Sequence, residues 1–374
     1  MQIKKGLFRR IFEKLVLLFV LAIIGMTVTI FIVEKKQADR MSKRGKAETY
    51  SETFNTNFLP DYTVSADDVE KFNEKIIALL QKNDTGTINL SESGDTGLLP
   101  LLNKDEKIAK ATSDMKLLKE YYPEGYYLVI NSVLKTAEKE QIFQHFYFRS
   151  TGEADRVNFL VHELSHLSII IQTSRRGDLG YLVEDKFINL NKLTNVPKGD
   201  ELLKYISKPA PILDNKYLKK SKHDIYSTLE EIVSYTKSVR VARAFARYNK
   251  FVIEEDSTQG LSRQLYYLSL HLKNIKENHP NLWKTLKKEK GFAYLMSRII
   301  SIAKTEIQAA KDEGVSGFTG DNFASSIDDN LSLFNENQAL FDELFTATEI
   351  NSLGDLQKLT QKELAKMGIK IEKF

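Results

Sequence analysis

The chain has 374 residues, 42% of them apolar, enough for one sizeable core with a helical appendage. It contains no cysteine, which excludes disulfides and thiolate metal sites. Its net charge of +4 hides an uneven split: residues 1–46 carry a balance of +8 and the rest −4. The larger part therefore lacks the basic bias that phosphate binding needs, which argues against a nucleic-acid partner.

Leu15 to Val33 is an unbroken run of 19 uncharged, mostly apolar residues, long enough to cross a bilayer as a helix. No small-x-small cleavage site follows it, so a retained single-pass anchor is expected rather than a signal peptide. Lys and Arg flank it on both sides. A short amino-terminal tail with fewer acids around it favours the amino terminus in the cytoplasm and the bulk outside. The basic flanks would meet anionic head groups. Residues 34–60 are polar and poorly periodic and read as a tether.

A helix is expected from Ser65, where Ser65-Ala66-Asp67-Asp68 has the form of a capping box, to about Gln81. Asn83 to Gly97 reads as a loop and Asn103 to Tyr121 as a second helix, stopped by Pro123 and Gly125. Tyr126 to Val133 and Gln141 to Arg149 carry the aromatic and β-branched composition of strands.

Val157 to Ile171 reads as a helix apolar on nearly every side, hence buried. Burying an unpartnered imidazole or carboxylate is costly, so His162, Glu163 and His166 need a reason to be there. Residues four apart lie one above the other on a helix face. His162 and His166 can thus offer imidazole nitrogens to one point, with Glu163 beside them to work on an activated water. The bland alternative is two core histidines and a glutamate paired with a nearby cation.

Tyr181 to Leu190 reads as a further strand. Asn191 to Lys222, with Pro197, Pro209 and Pro211, is a long breaker-rich connection of the kind that often binds ligands. A long helix from Ile225 to about Glu254 then carries Glu230 and Glu231. Glu231 shares its face with Ser227, Thr228, Ser234, Tyr235, Ser238 and Ala242, mostly small residues that allow close helix approach. Glu230 shares a wetter face with Tyr226, Val233 and Lys237. Glu231 is the preferred third ligand, with Glu230 and His223 as rivals; a solvated helix face is the plain reading of the pair. From Ser257 onward the pattern is helical, with segments at Gln259–Glu277, Pro280–Lys290, Gly291–Lys311 and Asp328–Phe345, the last preceded by a Gly-rich loop, Asp312–Ser326.

The His162-Glu163-Leu164-Ser165-His166 motif resembles the HExxH zinc metallopeptidases, the zincins. The metzincin pattern is absent, because Ile169 and Gln172 stand where it needs Gly and His. Glu231 with Ser234 three positions on is similar to the ligand helix of the gluzincins, although the 64 residues between His166 and Glu231 exceed the spacing in compact members. The resemblance implies an α+β, mainly helical fold in which a small sheet lies over the metal-binding helix. It implies one Zn2+ per chain on His162, His166 and Glu231, Glu163 as general base, and a peptide or protein substrate. Tyr235, one turn from Glu231, or His223 could supply an oxyanion donor, with a structural role as the plain reading of each.

The expected organisation is a basic tail (1–14), an anchor (15–33), a tether (34–60), a catalytic domain (61–255) and a helical carboxy-terminal part (256–374) packed on it. The alternative from another class is a membrane-tethered helical scaffold with a structural or vestigial zinc site. Hydrolysis of a non-peptide amide is a third reading that the sequence does not separate from proteolysis.

Overall fold

The computed structural model describes residues 65, 67–68, 70–72, 74, 104–135, 157–166, 179–183, 186–190, 193–248, 257–315, 325–350 and 370–373. All lie in one contact unit, Phe58–Phe374. The expected anchor, the tether, the strand at Gln141–Arg149 and the Gly-rich loop from 316 to 324 lie outside them. No helix among the described residues is long and apolar enough to cross a membrane.

The fold is mainly helical. At residues 65–74 the N-cap half of the expected capping box forms: the Asp68 backbone N–H donates to Ser65 Oγ at 3.1 Å, and the Asp68 carboxylate accepts from the Ser65 hydroxyl at 2.7 Å. Helix α1 (Lys104–Tyr121) runs almost directly into α2 (Pro123–Lys135). This corrects the strand expected at Tyr126–Val133 and the helix stop expected at Pro123. Proline is accommodated in a first helical turn, where its missing N–H costs nothing. Glu124 beside it favours the positive end of the helix dipole. Buried Tyr122, Tyr126, Val129 and Ile130 then recur at helical spacing, and this outweighs their β-propensity. Gly125 is required here, because a Cβ would collide with the Tyr122 ring.

Helix α3 (157–166) carries the histidines. β1 (Leu179–Val183) then pairs antiparallel with β2 (Lys186–Leu190), so the single strand expected at Tyr181–Leu190 is parts of two paired strands. β3 (Lys370–Lys373) adds antiparallel to β2, with Ile371 opposite Ile188. No strand among the described residues precedes α3: of the two strands expected there, one is α2 and the other lies outside the described residues.

The breaker-rich connection is largely structured: a 3-10 turn at Gly199–Tyr205, one helical turn at Pro211–Leu213, then a π-helix at Asp214–Lys220. Helix α4 (Ile225–Tyr248) and helix α5 (Ser257–Asn278) form the centre of the molecule. α5 is buried along nearly its whole length, from Ser257 to Ile275. α6 (Pro280–Leu286), α7 (Lys290–Asp312), α8 (Ile327–Glu336) and α9 (Gln338–Ala347) pack around them. The helix expected as one piece at Asp328–Phe345 breaks at Asn337. α8 opens on a capping box of Ser326 and Asp329.

One apolar core joins residues from Phe72 to Ile350 and so crosses the expected boundary at 255–256. In α3 it takes Val157, Leu160, Val161 and Leu164, all fully buried. Each such side chain contributes on the order of 2 kcal/mol from burial, which fixes the rotation of α3 about its axis. α3 and α4 run antiparallel, since His162 meets Ser238 and His166 meets Glu230. α4 and α5 do likewise, since Gly260 meets Tyr235 and His271 meets Thr228.

Candidate metal centre

With Val157, Leu160, Val161 and Leu164 committed to the core, the remaining stripe of α3 is Phe159, Glu163 and His166, none of them buried; His162 lies at its edge, 8% exposed. From the facing side, α4 presents Glu230 and Glu231. Ser234 and Ser238, both small and buried, let the two helices approach closely, the role their size anticipates.

Three ligand atoms converge. His162 Nε2 and His166 Nε2 are 3.1 Å apart, and Glu231 Oε2 lies 3.5 Å from each. A point equidistant from three atoms so spaced sits about 2 Å from all of them, the length of Zn–N and Zn–O bonds. The outer nitrogens are already engaged: His166 Nδ1 with Glu230 Oε1 at 2.8 Å, and His162 Nδ1 with Ser238 Oγ at 3.1 Å. Such partners orient an imidazole and direct its other nitrogen to a metal.

Two features fit an ion. If each Nδ1 donates to its oxygen partner, the two Nε2 lone pairs face one another and require a cation between them. Glu231 Oε2, although buried, has no hydrogen-bond partner, a cost of about 1–3 kcal/mol that a metal bond would remove.

The metal-free protein meets that requirement with a proton. Burial pulls His166 down, but its hydrogen bond to Glu230 and the charges of Glu230 and Glu231 outweigh it and hold the ring at about 10. His162 is lowered, chiefly by burial. Burial pushes Glu231 up, yet the two imidazoles beside it hold it well below the usual carboxylate range. A buried carboxylate thus keeps its charge.

Of the predicted site residues, His162, His166 and Glu231 come together. Glu230 stands behind His166 rather than in the triad. His223 does not reach the convergence point; its Nδ1 lies 4.0 Å from Glu231 Oε1, the carboxylate oxygen turned away from the triad. Glu163 is half-buried, close enough for its charge to act on His162 and Tyr217. Tyr235 packs its ring edge-on against His162, 4.8 Å between centroids, and its hydroxyl meets Tyr217 Oη at 2.7 Å. Gly260 makes room for that ring, because a Cβ there would strike it.

Tyr217 was not foreseen. It is fully buried on the π-helix, and burial together with the nearby Tyr235 and Glu231 pushes its phenol far above the ordinary value. The signal was faint: Leu213, Asp214, Tyr217 and Leu218 repeat at helical spacing inside a stretch that reads as loop. The π-helix is pinned from within, where Arg263 Nη2 donates to Asp214 Oδ1 at 2.7 Å and Tyr267 donates to the same oxygen.

The chain matches no protein-family model, no curated protein and no solved structure.

Proposed function

We propose that the chain is a zinc-dependent metallopeptidase, anchored in a membrane by Leu15–Val33, with its catalytic part outside. The observation that carries this reading is the convergence of His162 Nε2, His166 Nε2 and the unpartnered, buried Glu231 Oε2 around one point. When bound, zinc would supply a Lewis acid that lowers the pKa of water to about 7 and polarises a carbonyl. Neutral imidazoles from His162 and His166 and the carboxylate of Glu231 would hold it, with a fourth position open. Glu163 would take the proton from the attacking water and pass it to the leaving amine. Tyr235, steadied by Tyr217, would donate a hydrogen bond to the developing oxyanion, a contribution of roughly 3 kcal/mol.

A second reading, a membrane-tethered helical scaffold with a structural ion, draws support from burial: His162 is 8% and Glu231 7% exposed. Zinc content and hydrolysis of a peptide library, measured on the full chain and its Glu163→Gln variant, separate the two. One zinc in both proteins, with turnover in the parent alone, supports the peptidase. Zinc without turnover in either supports the scaffold. Absence of zinc from the folded parent sinks the peptidase and leaves the scaffold with a vestigial site.

A further inference from the structure

The outer face of the segment from 211 to 222 joins clustered cations to exposed aliphatic surface. Several lysines elsewhere have carboxylate partners: Lys208 with Asp329, Lys276 and Lys287 with Glu343, Lys290 with Glu349, Lys311 with Asp328. On the π-helix three exposed lysines lie within five positions. Lys219 and Lys220 are exposed and have no ionic partner among the described residues, and Lys216 is exposed with its ammonium 4.7 Å from the centre of the Tyr217 ring. Lys222 alone is answered, by Asp200 at 2.6 Å. The one acid within the helix, Asp214, points inward to Arg263.

Next to these cations Ile212 is 53% exposed, one of two large apolar side chains so exposed among the described residues. With Pro211, Asn215, Lys216, Lys220 and Ser221 it lines a shallow hollow of about 440 Å³. Pro211 and Ile212 give the hollow an aliphatic part, and Lys216 and Lys220 add basic side chains to its lining.

We propose that this face docks on a bilayer containing anionic phospholipid, with Pro211 and Ile212 entering the head-group layer while Lys216, Lys219 and Lys220 meet phosphates. Aliphatic side chains at the surface, rimmed by lysines whose stems can lie along the acyl boundary, fit such an interface. An acidic protein would match the charge but would leave the Pro211–Ile212 step without a matching partner. The surface is preformed, because Arg263 and Tyr267 hold the π-helix from inside. It also adjoins the metal centre: the inward residue of the same helix is Tyr217, on Tyr235. Docking would hold the wall of that centre at the membrane. The inference needs no zinc and goes beyond the peptidase reading.

The absence of cysteine allows one dye to be placed at will. Full-length protein carrying an environment-sensitive dye on Ile212→Cys is mixed with phosphatidylcholine vesicles with or without phosphatidylglycerol. Emission should strengthen and shift to the blue with phosphatidylglycerol only. About 0.5 M salt should reverse it, since screening then acts within about 4 Å. Adding Lys219→Ala and Lys220→Ala should weaken the response about fivefold per lysine. The same dye on Phe159→Cys, the other exposed apolar site, should not respond. Equal emission with both vesicles, a response that survives loss of both lysines, or an equal response at Phe159→Cys would overturn the proposal.

Discussion

Helix α4 buries charge twice, and its two halves treat it in opposite ways. In the carboxy-terminal half, Lys237, Arg240 and Arg243 are all buried and all answered. Arg240 donates to Glu306 Oε1 at 2.9 Å and to Glu124 Oε2 at 2.7 Å, Arg243 to Glu313 Oε1 at 2.6 Å and to Glu306, and Lys237 to Glu124. In the amino-terminal half, Glu231 faces two imidazoles at 3.5 Å with one oxygen lacking any hydrogen bond. A closed set of buried pairs ties α4 to α2 and α7 and leaves nothing for a ligand to do. An open set, equally buried, leaves a bonding position that an ion could fill. Burial of charge alone does not single out a candidate site; here convergence of three ligand atoms with an unfilled bonding position does.

Substitutions in the two halves should therefore part company. Glu231→Ala should abolish zinc binding and lower turnover by about a thousandfold or more while the protein still folds, as judged by metal analysis and circular dichroism. Glu306→Ala should do the reverse. It leaves two guanidinium groups short of a buried partner and should cost about 3–5 kcal/mol in urea unfolding, with zinc stoichiometry unchanged in the folded fraction. A mild effect of Glu306→Ala would erase the contrast.

Glu230→Gln tests the support behind the triad. Loss of the carboxylate behind His166 should weaken zinc binding about 10–100-fold, measured by competition with a chelator, without changing the stoichiometry. The same titration repeated with pH reads the proton that stands in for the ion. His166 is protonated below about 10 in the metal-free protein, so zinc must displace that proton. Apparent affinity should rise by up to tenfold per pH unit between about pH 7 and 9 and level off near 10. In the unfolded chain the ring titrates near its ordinary 6.5. Its stabilisation of the metal-free fold is thus complete below that pH and is lost as pH climbs through about 10. The smallest expected effect is that of Gly260→Ala, which pushes the Tyr235 ring off its seat at a cost of about 1–3 kcal/mol and should lower turnover more than zinc affinity.

The histidine helix was the most legible part of the chain, because period and chemistry agreed there. An apolar cylinder whose only titratable side chains are His162, Glu163 and His166 favours a rotation that gathers those three toward one side. Glu231 could be preferred to Glu230 because small residues share its face, and it is Glu231 that meets both imidazoles. α2 was misread because Tyr126, Val129 and Ile130 suit a strand by composition and a helix by spacing, and Pro123 opens an element as readily as it closes one. The partners that steady the site were less accessible. Tyr217 reaches Tyr235 only through the π-turn and the Asp214–Arg263 pair, an alignment of residues 49 apart in the chain that no local pattern encodes. The paired charges of α4 were equally hidden, because a basic stripe reads alike whether water or glutamate answers it.

The candidate ligands stand on two helices, two of them on α3 and the third beyond the long connection. An ion held by both would act as a cross-link, closing a loop of 69 residues between His162 and Glu231. By the chain-entropy estimate such a closure removes about 4 kcal/mol worth of freedom from the unfolded ensemble. A chelator would then slacken the whole α3–α4 pairing as well as the chemistry, and metal supply would govern how long the protein survives in its compartment.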